Sequence, residues 1–161
     1  MTPTHMSELE LQADAPRQSP RLDLEQLIAI EEIRDVKARY VRYADYKRWD
    51  LLAGLFLPDA TFTGYKVDRS IWFRMSGREE IQHAIAGRVG PAQPIHHLFS
   101  AEIEITSPST ARSIWSMEDW IFRPDGGAMH GYGHYHGRYE KIDGIWFIAE
   151  LEQTRLKLDF T

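Results

Sequence analysis

Thr110-Ala111-Arg112-Ser113-Ile114-Trp115-Ser116-Met117-Glu118-Asp119-Trp120-Ile121-Phe122 is the stretch that decides the fold. It reads as one long strand with turn signals on both sides. Ser107-Pro108-Ser109 turns the chain before it, and Pro124-Asp125-Gly126-Gly127 turns it again after it. Alternation places Trp115, Met117 and Asp119 on one face and Glu118 and Trp120 on the other. Downstream, residues 129 to 141 form a further strand, Asp143-Gly144 is a hairpin signal, and Ile145 to Leu158 completes the sheet. Upstream, the strand texture begins at His96, where Ile103 and Ile105 alternate with Glu102 and Glu104.

The earlier part of the chain carries helical spacing instead. Asp23 and Gln26 have the form of a capping box. Leu27, Ile30, Ile33, Val36, Tyr40 and Ala44 then recur as one apolar stripe, which predicts a long helix over residues 23 to 45. Trp49 to Leu57 predicts a short helix stopped by Pro58. Thr61-Phe62-Thr63 and Ser70 to Met75 read as a hairpin of short strands. Ser76 and Glu79 have capping-box spacing before a third helix ending near Gly87, and Gly90-Pro91 with Pro94 reads as a loop. Helices first and an antiparallel meander last predict an α+β fold, with helices packed on one face of a curved sheet. Residues 1 to 21 hold three prolines and no apolar period, so they read as a flexible or loosely docked tail before a single domain over residues 22 to 161.

Composition removes several function classes. The 161 residues contain no cysteine, so disulfides, thiolate catalysis, iron–sulfur clusters and zinc–cysteine sites are impossible. Nineteen basic against 24 acidic residues, with no basic cluster, argue against a nucleic-acid partner. No apolar run approaches the roughly 18 residues of a membrane span. The N-terminus lacks a signal-peptide pattern, which predicts a cytoplasmic protein. Aromatic residues at 12% are enough to wall a pocket for a flat organic ligand.

Among polar residues, Asp45 lies where the first helix ends, and His96-His97 opens a strand. A carboxylate against an imidazole fixes the ring tautomer and stabilises its charged form, the raw parts of proton transfer. Alternation puts His97 on the face of Ile103 and Ile105 and His96 on that of Glu102 and Glu104, unless a bulge near Ser100 shifts the phase. Tyr40, five positions before Asp45, is about 140° away around an ideal helix, so core packing competes with a site role. Asp119 beside Trp115 and Met117 would be a desolvated acid able to donate a proton, or else a solvated group facing outward. His130, His134 and His136 share one side of a strand, but no third-ligand pattern accompanies them, so no metal site is expected.

The run from Tyr40 to Ala60 (Tyr-Val-Arg-Tyr-Ala-Asp-Tyr-Lys-Arg-Trp-Asp-Leu-Leu-Ala-Gly-Leu-Phe-Leu-Pro-Asp-Ala) resembles the opening of SnoaL-like proteins of the nuclear transport factor 2-like superfamily. Gly131-Tyr132-Gly133-His134-Tyr135 and Lys141 through Ile148, with Leu151 and Arg155, resemble its ending. The resemblance implies a cone-shaped, strongly curved and mostly antiparallel sheet with the N-terminal helices on its concave face. Its nearest branch holds scytalone dehydratase, hexachlorocyclohexane dehydrochlorinase and bile acid 7α-dehydratase, which implies cofactor-free elimination by a His–Asp pair. In that likeness Asp45 is the helix-end acid, His96 the strand-opening histidine, and Tyr40 and Asp119 the other catalytic candidates. Phe62, Trp72, His97, Trp115, Met117 and Arg155 are the candidates for holding a small-molecule substrate. Two positions depart from the branch: Ala44 stands where scytalone dehydratase has a tyrosine, and Leu151 where the dehydrochlorinase has a pocket arginine. Isomerases, cyclases and the scaffolding small subunits of ring-hydroxylating oxygenases share the fold. Trp120 and Phe122, opposite Asp119 in phase, suit a homodimer or homotrimer interface.

Overall fold

The computed structural model describes residues 21–161, so the expected tail lies, but for Arg21, outside the described residues. The elements run α1 (Leu24–Asp45), α2 (Trp49–Ala53), β1 (Phe56–Tyr65), β2 (Ile71–Ser76), α3 (Arg78–Val89), β3 (Gln93–Ser107), β4 (Thr110–Phe122), β5 (Ala128–Ile142) and β6 (Ile145–Phe160). The six strands form one sheet in the order β2-β1-β6-β5-β4-β3. All neighbours are antiparallel except β1 and β6, which run parallel. This is the α+β architecture read from the sequence.

Local chemistry explains each boundary. The Asp23 side chain accepts from the Gln26 backbone N–H, and the Gln26 side chain accepts from the Asp23 N–H, so α1 opens on a complete capping box. The hairpin turn at Asp143-Gly144 places both residues at positive φ, 50° and 82°, the left-handed pair that a two-residue turn between right-twisted strands requires. Breaks in register within β3 and along β5–β6 curl the long strands, because each extra residue bends its strand and tightens the local twist.

Helix α1 lies across the concave face and buries Ala29, Ile33, Val36, Tyr40 and Ala44 against Phe56, Phe62, Trp115, Tyr135, Ile148 and Leu151. Leu27, placed on this stripe by periodicity, is instead exposed. Glu32 ties the helix to the last hairpin by accepting from Lys141 Nζ and Trp146 Nε1, each at 3.0 Å.

Three expectations need correction. Helix α2 ends at Ala53, and Leu57 and Pro58 belong to β1. Pro58 is tolerated there because it falls in the register gap between Phe56 and Thr61, where the ladder to β6 demands no N–H. Pro94 is not in a loop but buried in β3, opposite Ile121; β3 is an edge strand, where a missing N–H costs little. Helix α3 starts from Gly77 with no side-chain cap, and the Ser76 N–H donates to Glu80 rather than Ser76 capping with Glu79.

Candidate active site

Asp45 is the last residue of α1, and Lys47 at φ 54° turns the chain away immediately after it. A carboxylate at a helix C-terminus is disfavoured by the helix dipole. Here donors from β3 offset that cost. The His96 backbone N–H donates to both Asp45 oxygens at 3.1 and 3.3 Å, and His96 Nδ1 lies 2.7 Å from Oδ1. Gln93 donates to the Asp45 backbone carbonyl at 2.8 Å, which locks the helix end onto the start of β3. With Nδ1–H held by the carboxylate, Nε2 carries the lone pair and is the basic nitrogen.

The two-histidine ambiguity resolves through the bulge. Register shifts between Leu98 and Ala101, so alternation counted backward from Ile103 reverses at Ser100. His96 pairs with Asp119 across the ladder and faces inward, with its side chain 11% exposed. His97, offered as a substrate contact, faces the other way: its side chain is 58% exposed and sits 3.8 Å from Glu118 on the convex side. That role is withdrawn.

Asp119 is on the interior face, as alternation requires, but not as a lone acid. Arg155 Nη1 and Nη2 donate to its two oxygens at 2.5 and 2.7 Å, a bidentate pair with both side chains nearly inaccessible. Both oxygens are therefore engaged by guanidinium protons, and neither is placed to carry a proton for donation. Burial alone would lower the Arg155 pKa, but the hydrogen bonds and charge of Asp119 outweigh it and raise it. The pair spans β4 to β6 across Gly131. A Cβ there would lie 2.2 Å from Arg155 Nη1 and 2.6 Å from Asp119 Oδ1, so only glycine leaves the passage open.

Tyr40 is buried on the same interior, edge-on to Phe56 and Tyr135 with ring centroids 6.1 and 5.8 Å away. Burial pushes its phenol above the ordinary range, while hydrogen bonding with Tyr135 pulls the other way. Tyr40 thus stays a protonated donor. Met117 Sδ lies 3.8 Å from Arg155 Nη1, and Trp115 donates from Nε1 to Ser113 at 2.9 Å. Phe62 is buried edge-on against Phe73. Trp72 is only half-buried and packs toward Phe73 and the Arg88 guanidinium, so it belongs to the flank of β2 and α3.

The convex face is distinct. Glu118 lies 2.6 Å from His130 Nε2, and that contact holds its carboxyl below the usual range. His130 stacks on Trp120 at 3.6 Å, and Trp120 stacks on Phe122. His136 Nε2 lies 3.3 Å from Thr154 Oγ1. Among the described residues, no group of three His, Asp or Glu side chains is arranged to hold a metal.

Sequence reasoning missed Lys37. It sits four residues after Ile33 and three before Tyr40, on the buried stripe, and is fully inaccessible. Its Nζ rests 3.6 Å from the Tyr135 ring centroid and 4.1 Å from that of Tyr40. A cationic residue at stripe spacing was the available signal. Burial pushes the amine well below the usual lysine value of 10.5. The unfolded chain therefore binds a proton here that the folded chain releases above the depressed value. Stability accordingly climbs as pH rises from that depressed value toward 10.5, by at most about 1.4 kcal/mol per pH unit. Lys37→Met should flatten this slope in urea titrations compared across neutral and alkaline buffers; equal slopes in the two proteins would refute the assignment.

Comparison with known proteins identifies the family and the fold. The model of the SnoaL-like domain matches residues 25–152. A probable cyclase, FGR4, of Gibberella zeae is 30% identical over 133 residues, which cover 77% of this chain and 89% of that protein. Among solved structures, a type 2 hexachlorocyclohexane dehydrochlorinase (LinA) superposes with a TM-score of 0.77 at 18% identity, covering 87% of this chain and 93% of the other. A candidate scytalone dehydratase from Novosphingobium aromaticivorans superposes with a TM-score of 0.73 at 21% identity, covering 84% and 89%. The two structures attest the fold. No helix among the described residues is long and apolar enough to cross a membrane. The match over residues 25–152 and the shared architecture place the chain in the SnoaL-like domain family of the nuclear transport factor 2-like superfamily.

Proposed function

We propose that the protein is a lyase that needs no cofactor and eliminates water from a small, largely apolar, hydroxylated cyclic compound. The observation that carries this reading is the 2.7 Å contact between His96 Nδ1 and Asp45 Oδ1 at the edge of an apolar interior. His96 Nε2 takes a proton from carbon, and Asp45 stabilises the imidazolium that results. The electron pair left on carbon expels the β-hydroxyl, which departs as water on taking the proton back from the His96 imidazolium, returning the ring to its neutral form. Tyr40 donates the hydrogen bond, either to that hydroxyl or to a carbonyl adjacent to the carbanion. Asp119 anchors Arg155 rather than acting as the acid. Relatives named dehydrochlorinase and scytalone dehydratase share the architecture in which such eliminations occur.

A second reading, cyclisation or isomerisation, is favoured by the relative named as a probable cyclase. Incubating the protein with cyclic β-hydroxy ketones in deuterium oxide separates the two. Elimination yields an enone with loss of water, at a rate cut by about 10²-fold or more in His96→Ala. Deuterium exchange with the hydroxyl retained would favour the second reading. Turnover unaffected by His96→Ala would overturn the histidine-based elimination.

A further inference from the structure

The last four carbonyls of a helix find no partner within the helix itself. In α1, those of Arg42, Tyr43 and Ala44 accept from the backbone N–H groups of Tyr46, Arg48 and Lys47, in the turn that follows. The fourth, that of Asp45, accepts instead from a side chain on another element, Gln93 Nε2 at 2.8 Å. The same nitrogen donates to the Pro94 carbonyl, also at 2.8 Å. An amide nitrogen carries two N–H bonds, so both are committed here. The reversed amide would set its oxygen against two carbonyl oxygens.

Gln93 and His96 thus hold Asp45 from both ends. Gln93 grips its backbone, and three residues further along His96 grips its carboxylate through its backbone N–H and Nδ1. Strand β3 lies at the sheet edge and pairs with β4 alone, so no second ladder fixes its place against α1. Lys47 Nζ adds only a long contact to the Gly90 carbonyl, at 3.4 Å. The His96 Nδ1 contact, at 2.7 Å, has little slack. A misplacement of about 1 Å between reacting groups costs up to about 10²-fold in rate.

We propose that Gln93 is a positioning residue, whose side-chain amide holds the end of α1 at the spacing from β3 that keeps the His96 proton on Nδ1. It touches no reacting atom and acts only through Asp45. The proposal rests on the reading that the Asp45–His96 pair carries the reaction. Gln93 itself is exposed, so replacing it leaves the packing of the core intact.

The test sorts three variants by donor and by charge. Gln93→Leu removes both donors, and Gln93→Glu keeps the shape but at neutral pH only accepts. Gln93→Lys keeps donors while adding charge of the opposite sign. Long-range proton–nitrogen correlation spectra of the full chain report which ring nitrogen of each histidine bears the proton. The His96 signals are those lost in His96→Ala. Wild type and Gln93→Lys should show His96 protonated on Nδ1. Gln93→Leu and Gln93→Glu should move the proton largely to Nε2 and lower kcat toward cyclic β-hydroxy ketones about tenfold, with KM changed less than about twofold. Their urea midpoints should stay near that of wild type. An Nδ1–H signal or a kcat unchanged in Gln93→Leu and Gln93→Glu overturns the proposal. So does a wild-type ring protonated on Nε2, or a Gln93→Lys variant that behaves like Gln93→Leu. Midpoints that fall in step with the signal leave Gln93 a merely structural part and overturn it too. If the signal responds as expected but wild type turns over none of the ketones, the hold on the pair stands and the elimination falls.

Discussion

Arg155→Met is expected to destabilise the fold by roughly 3–5 kcal/mol, because it strands a buried carboxylate. Asp119 has a side chain only 2% exposed, and both its oxygens accept from Arg155. Water cannot replace those donors without opening the sheet. The double variant Asp119→Leu/Arg155→Met should recover most of the loss, since apolar groups of similar size carry no desolvation cost. Urea midpoints of the two single variants and the double variant form a cycle that separates the pair from its parts. A single variant that unfolds at the wild-type midpoint would show that water reaches Asp119 and that the interior is wetter than its burial implies.

Asp45→Asn should lower turnover by about 10²–10⁴-fold while shifting stability by no more than about 1 kcal/mol. The asparagine carbonyl can still accept from the His96 backbone N–H, so α1 stays docked on β3. Its amide, however, offers a donor where the carboxylate offered an acceptor. The ring then favours the tautomer with its proton on Nε2, and the nitrogen facing the substrate is no longer a base. Stabilisation of the imidazolium is lost at the same time. Steady-state rates beside urea midpoints check both halves. Full turnover with an unchanged midpoint would sink the acid–histidine pair.

Much of this arrangement was legible in the chain, because its signals are local. The Asp23–Gln26 box, the stripe from Ile33 to Ala44 and the Asp143-Gly144 turn each involve residues a few positions apart. Trp115, Met117 and Asp119 face inward as alternation over an uninterrupted strand requires. The errors arose where distant partners decide. Pro58 and Pro94 read as breakers, yet a gap in one ladder and the edge position of another excuse them. His96 and His97 are exchanged by a bulge that alternation alone cannot date to one side or the other. Resemblance chose His96, and the ladder to Asp119 gives the physical reason. The engagement of Asp119 by Arg155 joins residues 36 positions apart, beyond the reach of any periodic reading. Lys37 escaped because a search for apolar spacing passes over a charged letter that sits on the same spacing.

The parallel pairing of β1 with β6 has a consequence for how the molecule is built. The latest strand in the topology is wedged in the middle of the sheet, between β1 and β5. Until it arrives, the amino-terminal hairpin and the carboxyl-terminal meander each present a raw border of unmet amides. Closure across so long a stretch of chain is slow relative to local zippering. A lesion in the final strand therefore loosens the pairing of both halves of the molecule at once.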